Sequence, residues 1–262
     1  MKKLLLGLVL LLGLVLLMVL TGCQQNNHVT TYKEVIKDGK VEIDGIIYDI
    51  KSESKVDFTY DDNQNVIEIT NIYNGNETRK YSVYKDNKLI KDRLYLNDQL
   101  SDTIYYYYED DKLIKYKDIS AGGLETRVEY FYGDNTKKQI AYNSDGKIGN
   151  ISTAYLDNDD KMIKLINTEA DGKLTESSTF YYKDDLLVKV ISEKDGVKTK
   201  TNDYEYNNLG DKIMDYVVFY GEINILFVQF YDYIYDENSL IKTMTINQVQ
   251  SQIKDENIRI FD

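Results

Sequence analysis

Beyond residue 50 the chain alternates short aromatic or β-branched runs with clusters of Asp, Asn and Lys, and each cluster is followed by an apolar pair. Runs such as Lys80-Tyr81-Ser82-Val83-Tyr84 and Phe180-Tyr181-Tyr182 have the composition of β-strands. The polar clusters suit tight turns, because short polar side chains bond their own backbone and tolerate left-handed conformations. A second strand then starts at the apolar pair, as at Leu89-Ile90, Leu113-Ile114, Met162-Ile163, Leu187-Val188 and Leu240-Ile241. Asp-Gly at 145–146, 171–172 and 195–196 marks further hairpin turns. No helical period competes over any long window.

The pattern is an internal repeat. The tyrosine before each polar cluster recurs at Tyr60, Tyr84, Tyr108, Tyr132, Tyr155, Tyr182, Tyr206 and Tyr235, at intervals of 24, 24, 24, 23, 27, 24 and 29 residues. Such periodicity is read before any local structure. It predicts an all-β fold: an antiparallel meander of about eight 24-residue β-hairpins over residues 50–248. The expected architecture is an elongated curled sheet, roughly 75 Å across if laid flat, preceded by an N-terminal signal helix. Alternation of Ile90, Ile114 and Val188 with Lys91, Lys115 and Lys189 predicts an apolar buried column beside a wetter one. Aromatics from Tyr105 to Tyr108 fall on both faces. Atypical segments at 32–55 and 249–262 are expected to cap the sheet edges. Complete absence of Pro fits a body made of interior strands.

The N-terminus follows different rules. Met1-Lys2-Lys3 precedes an apolar run from Leu4 to Leu20, broken only by Gly7 and Gly13, which ends in Leu20-Thr21-Gly22-Cys23. A basic start, an apolar stretch and small residues before a boundary describe a secretory signal. Leu20-Thr21-Gly22-Cys23 resembles the lipobox of bacterial lipoproteins. That resemblance implies cleavage before Cys23, diacylation of its thiol and acylation of the new N-terminus. The chain then divides into a signal peptide (1–22), a lipidated Cys with a polar tether (23–31) and a β-hairpin repeat domain (32–262). The alternative is an uncleaved membrane helix, for which the apolar run is short. Either way the body sits in the cell envelope, outside the cytoplasm.

Tyr with Asp/Asn-rich turns, apolar pairs and Asp-Gly turns is also similar to the YD (RHS-type) repeats of bacterial surface proteins and to MORN-like repeat lipoproteins. The likeness covers about three quarters of the chain, with Lys-Leu-Ile-Lys (88–91, 112–115) in place of the fuller family core. It implies shells, adhesive surfaces or scaffolds.

Composition narrows the chemistry. The formal charge is −12, which opposes nucleic-acid binding. One Cys and one His exclude an internal disulfide framework and a Cys/His zinc site, and His28 on the tether has no Gly-x-Ser-x-Gly partner. Asp110-Asp111, Asp157–Asp160 and Asp184-Asp185 read as solvated turn residues rather than calcium ligands, since none has the ordered ligand spacing. No cofactor or metal is implied, and no catalytic residue is assigned. Tyrosines that recur once per unit are packing residues. The non-repeated Tyr105, Tyr106 and Tyr231 are the candidates for a binding face. The resulting expectation is a non-enzymatic, lipid-anchored envelope protein that binds a protein or glycan on its sheet face. Alternatives are a repeat lipoprotein of the immunity or antitoxin type, a glycan-acting enzyme with paired carboxylates, and a membrane β-barrel, which Lys and Asp within the strands oppose.

Overall fold

The computed structural model describes residues 39–43 and 46–253. Within them the regular structure is entirely β, in seventeen strands. The first five are β1 (Lys40–Ile43), β2 (Ile46–Tyr60), β3 (Val66–Tyr73), β4 (Asn76–Lys85) and β5 (Lys88–Leu96). They continue as β6 (Gln99–Glu109), β7 (Lys112–Ser120), β8 (Glu125–Gly133), β9 (Thr136–Tyr142), β10 (Ile148–Leu156) and β11 (Met162–Thr168). The last six are β12 (Leu174–Lys183), β13 (Leu186–Lys194), β14 (Val197–Tyr206), β15 (Lys212–Phe219), β16 (Asn224–Tyr235) and β17 (Ile241–Ile253).

Each strand from β2 to β17 pairs antiparallel with its sequence neighbours, and β17 pairs back onto β2 from Thr243↔Asp57 to Val249↔Ile50. The sheet is therefore a closed sixteen-stranded barrel, not the elongated curled sheet that the period suggests. Nor do the described parts of the two end segments, 32–55 and 249–262, cap edges: β2 and β17 are wall strands, and their pairing abolishes both edges. The signal helix expected before Cys23 lies outside the described residues.

The repeat tyrosine explains why the ends match. Its hydroxyl donates to the first apolar residue's carbonyl in the preceding hairpin: Tyr108 to Leu89 (3.0 Å), Tyr132 to Leu113 (2.8 Å), Tyr182 to Met162 (3.0 Å) and Tyr206 to Leu187 (2.7 Å). Tyr60 makes the same bond across the closure, to the Ile241 carbonyl at 2.8 Å. The first hairpin thus docks on the last as the hairpins of Tyr108, Tyr132, Tyr182 and Tyr206 dock on their predecessors.

The turns obey local backbone chemistry. Asp86-Asn87, Asp110-Asp111 and Asp184-Asp185 each place both turn residues at positive φ, between 44° and 68°, where Asp and Asn are tolerated. Longer turns use one side chain as a clamp. The Asp61 carboxylate accepts from the amides of Asn63 (2.9 Å) and Asn65 (2.8 Å), and Asp157, Asn207 and Asp236 do the same two and four residues ahead.

Beside these turns the apolar pair is not a simple alternation. Val83 faces Lys91 while Tyr84 faces Leu89, so Ile90 is an extra, bulged residue. Ile114 and Val188 bulge in the same way. The column assigned to Ile90, Ile114 and Val188 therefore belongs to Leu89, Leu113 and Leu187, and Leu187 is only 6% exposed. Bulging keeps the following Lys on the wet face while strengthening local twist. One repeat is also displaced by a residue: Tyr155 faces Lys164, and Leu156 takes the position held elsewhere by the repeat tyrosine. That is the origin of the 23-residue interval.

A sheet closed on itself crowds side chains on its concave face. Across β2–β13 every buried side chain, including Val56, Ile69, Ser82, Asp92, Val128, Ala154, Ser178, Val190 and Ser192, lies on one face, which is the inner wall. The convex face is open there. Over β15–β17 it is not: Met214, Tyr216, Val218, Leu226, Val228, Phe230 and Val249 form the apolar core with Val41 of β1. The β1–β2 hairpin thus lies on the outside of the wall, so β15–β17 are covered on both faces.

Candidate functional site

The inner wall is lined by tyrosine and small polar residues. Asp92, only 2% exposed, accepts from Ser82 Oγ (2.6 Å) and Tyr106 OH (2.8 Å), with Lys80 Nζ 3.8 Å away. Burial holds the Lys80 ammonium below its usual range, against the pull of Asp92. The Tyr106, Tyr116 and Tyr130 rings continue round the wall at centroid spacings of 6.1 and 6.3 Å. Near them burial, with the Asp102 carboxylate beside it, pushes Asp118 up to about 6, and its Oδ1 has no hydrogen-bond partner. Such a carboxyl exchanges a proton near neutral pH. Its neighbours are structural phenols rather than a nucleophile.

The convex face carries a second ordered feature. On five consecutive hairpins the residue before the repeat-tyrosine position points outward and faces a lysine: Val83↔Lys91, Tyr107↔Lys115, Phe131↔Lys138, Tyr155↔Lys164 and Tyr181↔Lys189. The five apolar members are 38–49% exposed. Lys115 Nζ stands 4.6 Å from the Tyr107 ring centroid, and Lys91 Nζ 5.0 Å from that of Tyr105. Lys189 is paired to Asp203 at 3.6 Å, whereas Lys91, Lys115, Lys138 and Lys164 take part in none of the ion pairs among the described residues. The row stops at the next unit, where Glu205 faces Met214 under the covered part of the wall.

A third feature lies at the closure. Between the 61–65 and 236–240 turns is an open cleft of about 800 Å³, walled by Phe58, Tyr60 and Tyr235 and rimmed by Asp61, Asp62, Asp236 and Glu237. Asp61 and Asp236 are committed to their turns. Burial, then the nearby Asp236 and Asp211 carboxylates, push the Tyr60 phenol up to about 12.

The residues singled out from sequence are dispersed. Cys23 lies outside the described residues. Tyr105 and Tyr106, adjacent in β6, point to opposite faces: Tyr105 to the convex face under Lys91, Tyr106 inward to Asp92. Tyr231 is on the inner wall of β16, 7% exposed, its hydroxyl donating to Gln229 Oε1 at 2.9 Å and its ring under Lys212 Nζ at 4.6 Å. Tyr106 and Tyr231 are thus wall-packing groups, and the three form no common site. The Tyr107–Phe131–Tyr155–Tyr181 row went unrecognised in the sequence. The position one before each repeat tyrosine carries its signal, blurred because Tyr155 looks like a repeat tyrosine.

No protein-family model matches the sequence, and no curated protein matches it. Among solved structures the fold is similar to a porin-like protein from Bacteroides uniformis, with a TM-score of 0.35 and 11% identity over 77% of this chain and 98% of that one. At that score the two folds diverge too far for the neighbour's properties to transfer.

Proposed function

We propose that this chain is a non-enzymatic envelope protein, tethered by lipid at Cys23, whose barrel serves as a binding body. The observation that carries the binding role is the outward row of half-exposed Val83, Tyr107, Phe131, Tyr155 and Tyr181. A row of exposed apolar side chains repeated on five consecutive hairpins, each facing a lysine, marks a contact surface. The tether rests on the basic start, the apolar run and Leu20-Thr21-Gly22-Cys23. Each buried acyl methylene contributes about 0.8 kcal/mol, so two or more chains hold a protein stably on a bilayer.

This reading keeps the barrel wall in water. A lipid-facing wall would carry Lys91, Lys115, Lys138 and Lys164 toward hydrocarbon, where a lysine costs from about 1 kcal/mol near the rim to about 2–4 kcal/mol at mid-depth. The test is the mass of the mature N-terminus with envelope fractionation. The expected result is a protein beginning at lipid-modified Cys23 in the membrane fraction, and for Cys23→Ala an unlabelled, uncleaved precursor. A wild-type chain starting elsewhere, or starting at Cys23 without lipid, refutes the tether.

A further inference from the structure

We infer that the outer row binds an extended acidic polysaccharide, its sugars stacked on the exposed rings and its carboxylates or phosphates met by the facing lysines. The inference rests on the binding role proposed above and supplies its ligand class. Three observations carry it. The row is periodic: equivalent rings lie two strands apart, about 10 Å, which two sugars of an extended chain also span. Four rings, with Val83 at one end of the row, thus make a track about 40 Å long. Each ring is flanked by a cation, and Lys91, Lys115, Lys138 and Lys164 have no carboxylate partner among the described ion pairs, on a chain whose formal charge is −12. Four lysines outside any described ion pair thus line the aromatic row on an acidic body, and they favour an anion lying along the row. Finally the strip follows the convex wall, which a linear polymer can track.

A flat anionic membrane fits less well. The turns that project just beyond the row, at Asp86, Asp110-Asp111, Asp134 and Asp184-Asp185, would enter the headgroups first and be repelled.

The experiment uses the full-length protein in detergent and a graded series of oligogalacturonides, from the dimer to chains longer than the row. Neutral maltooligosaccharides, oligothymidylate and phosphatidylglycerol vesicles are the comparisons, read by calorimetry and co-sedimentation. Affinity should rise with length until the row is spanned and then level off, and it should fall with salt. Phe131→Ala and Tyr155→Ala, measured singly, should each weaken binding roughly tenfold. Replacing Lys91, Lys115, Lys138 and Lys164 together by Gln should remove the preference for the acidic series. All six side chains are on the open face, so circular dichroism should be unchanged. Length-independent binding, equal affinity for the neutral series, insensitivity to these changes, or stronger binding of oligothymidylate or vesicles overturns the inference. A protein lipidated at Cys23 that ignores the acidic series refutes the ligand alone. One that binds the series without lipid refutes the tether alone.

Discussion

Removing a single oxygen from the inner wall tests the assignment of faces most directly. Tyr106→Phe leaves ring packing against Tyr116 intact but deletes the donor 2.8 Å from Asp92 Oδ2. Asp92 is 2% exposed, so water does not readily replace that donor. Oδ2 would keep only Lys80 Nζ at 3.8 Å, while Oδ1 would retain Ser82 at 2.6 Å. A hydrogen bond to a charged group contributes about 1.5–3 kcal/mol, and orphaning a buried acceptor puts the loss toward the middle of that range. A loss of about 2 kcal/mol corresponds to a fall in melting temperature of about 4–8 °C for a body of this size. Tyr105→Phe is the matched control. One residue earlier and on the convex face under Lys91, it should cost less than about 0.5 kcal/mol. Urea unfolding at pH 7 measures both, and a cycle with Asp92→Asn isolates the coupling. If the two Phe variants lie within about 0.5 kcal/mol of each other, the inner and outer assignment of β6 fails.

Two further outcomes follow from the packing and the charges. Leu226→Ala, at a fully buried site beneath the β1–β2 hairpin, should cost about 2–5 kcal/mol in the same denaturation assay, and a cost below 1 would mean that the hairpin does not cover that wall. Asp118 is raised to about 6 by burial and Asp102, so its protonated form favours the fold, and its contribution is lost as pH rises from about 4 through 6. Asp118→Asn should flatten stability across that window and add about 1 kcal/mol at pH 7, the full shift being discounted for partial exposure. An unchanged slope would refute the burial of that carboxyl.

The sequence alone determined the strand content, the hairpin unit and the turn positions, because these depend on contacts within about a dozen residues. Aromatic runs make Lys80–Tyr84 a strand, and Asp110-Asp111 makes a turn wherever the chain goes. The wet column of Lys91, Lys115 and Lys189 was legible for the same reason. Its apolar companion was not. Whether Ile90 or Leu89 faces inward depends on a bulge, and a bulge exists only once two strands are in register. Tyr155 likewise reads as a repeat tyrosine until Leu156 is seen in its place. Only the tertiary structure decided that the sheet closes. A period states that each hairpin can dock on the one before it, but not that accumulated twist and stagger bring Tyr60 within 2.8 Å of the Ile241 carbonyl, 181 residues away. Closure also sorted the tyrosines. Tyr105 and Tyr106 were equivalent as letters, and they became an outer ring under a lysine and an inner ring on a buried carboxylate only when the wall acquired a concave and a convex side.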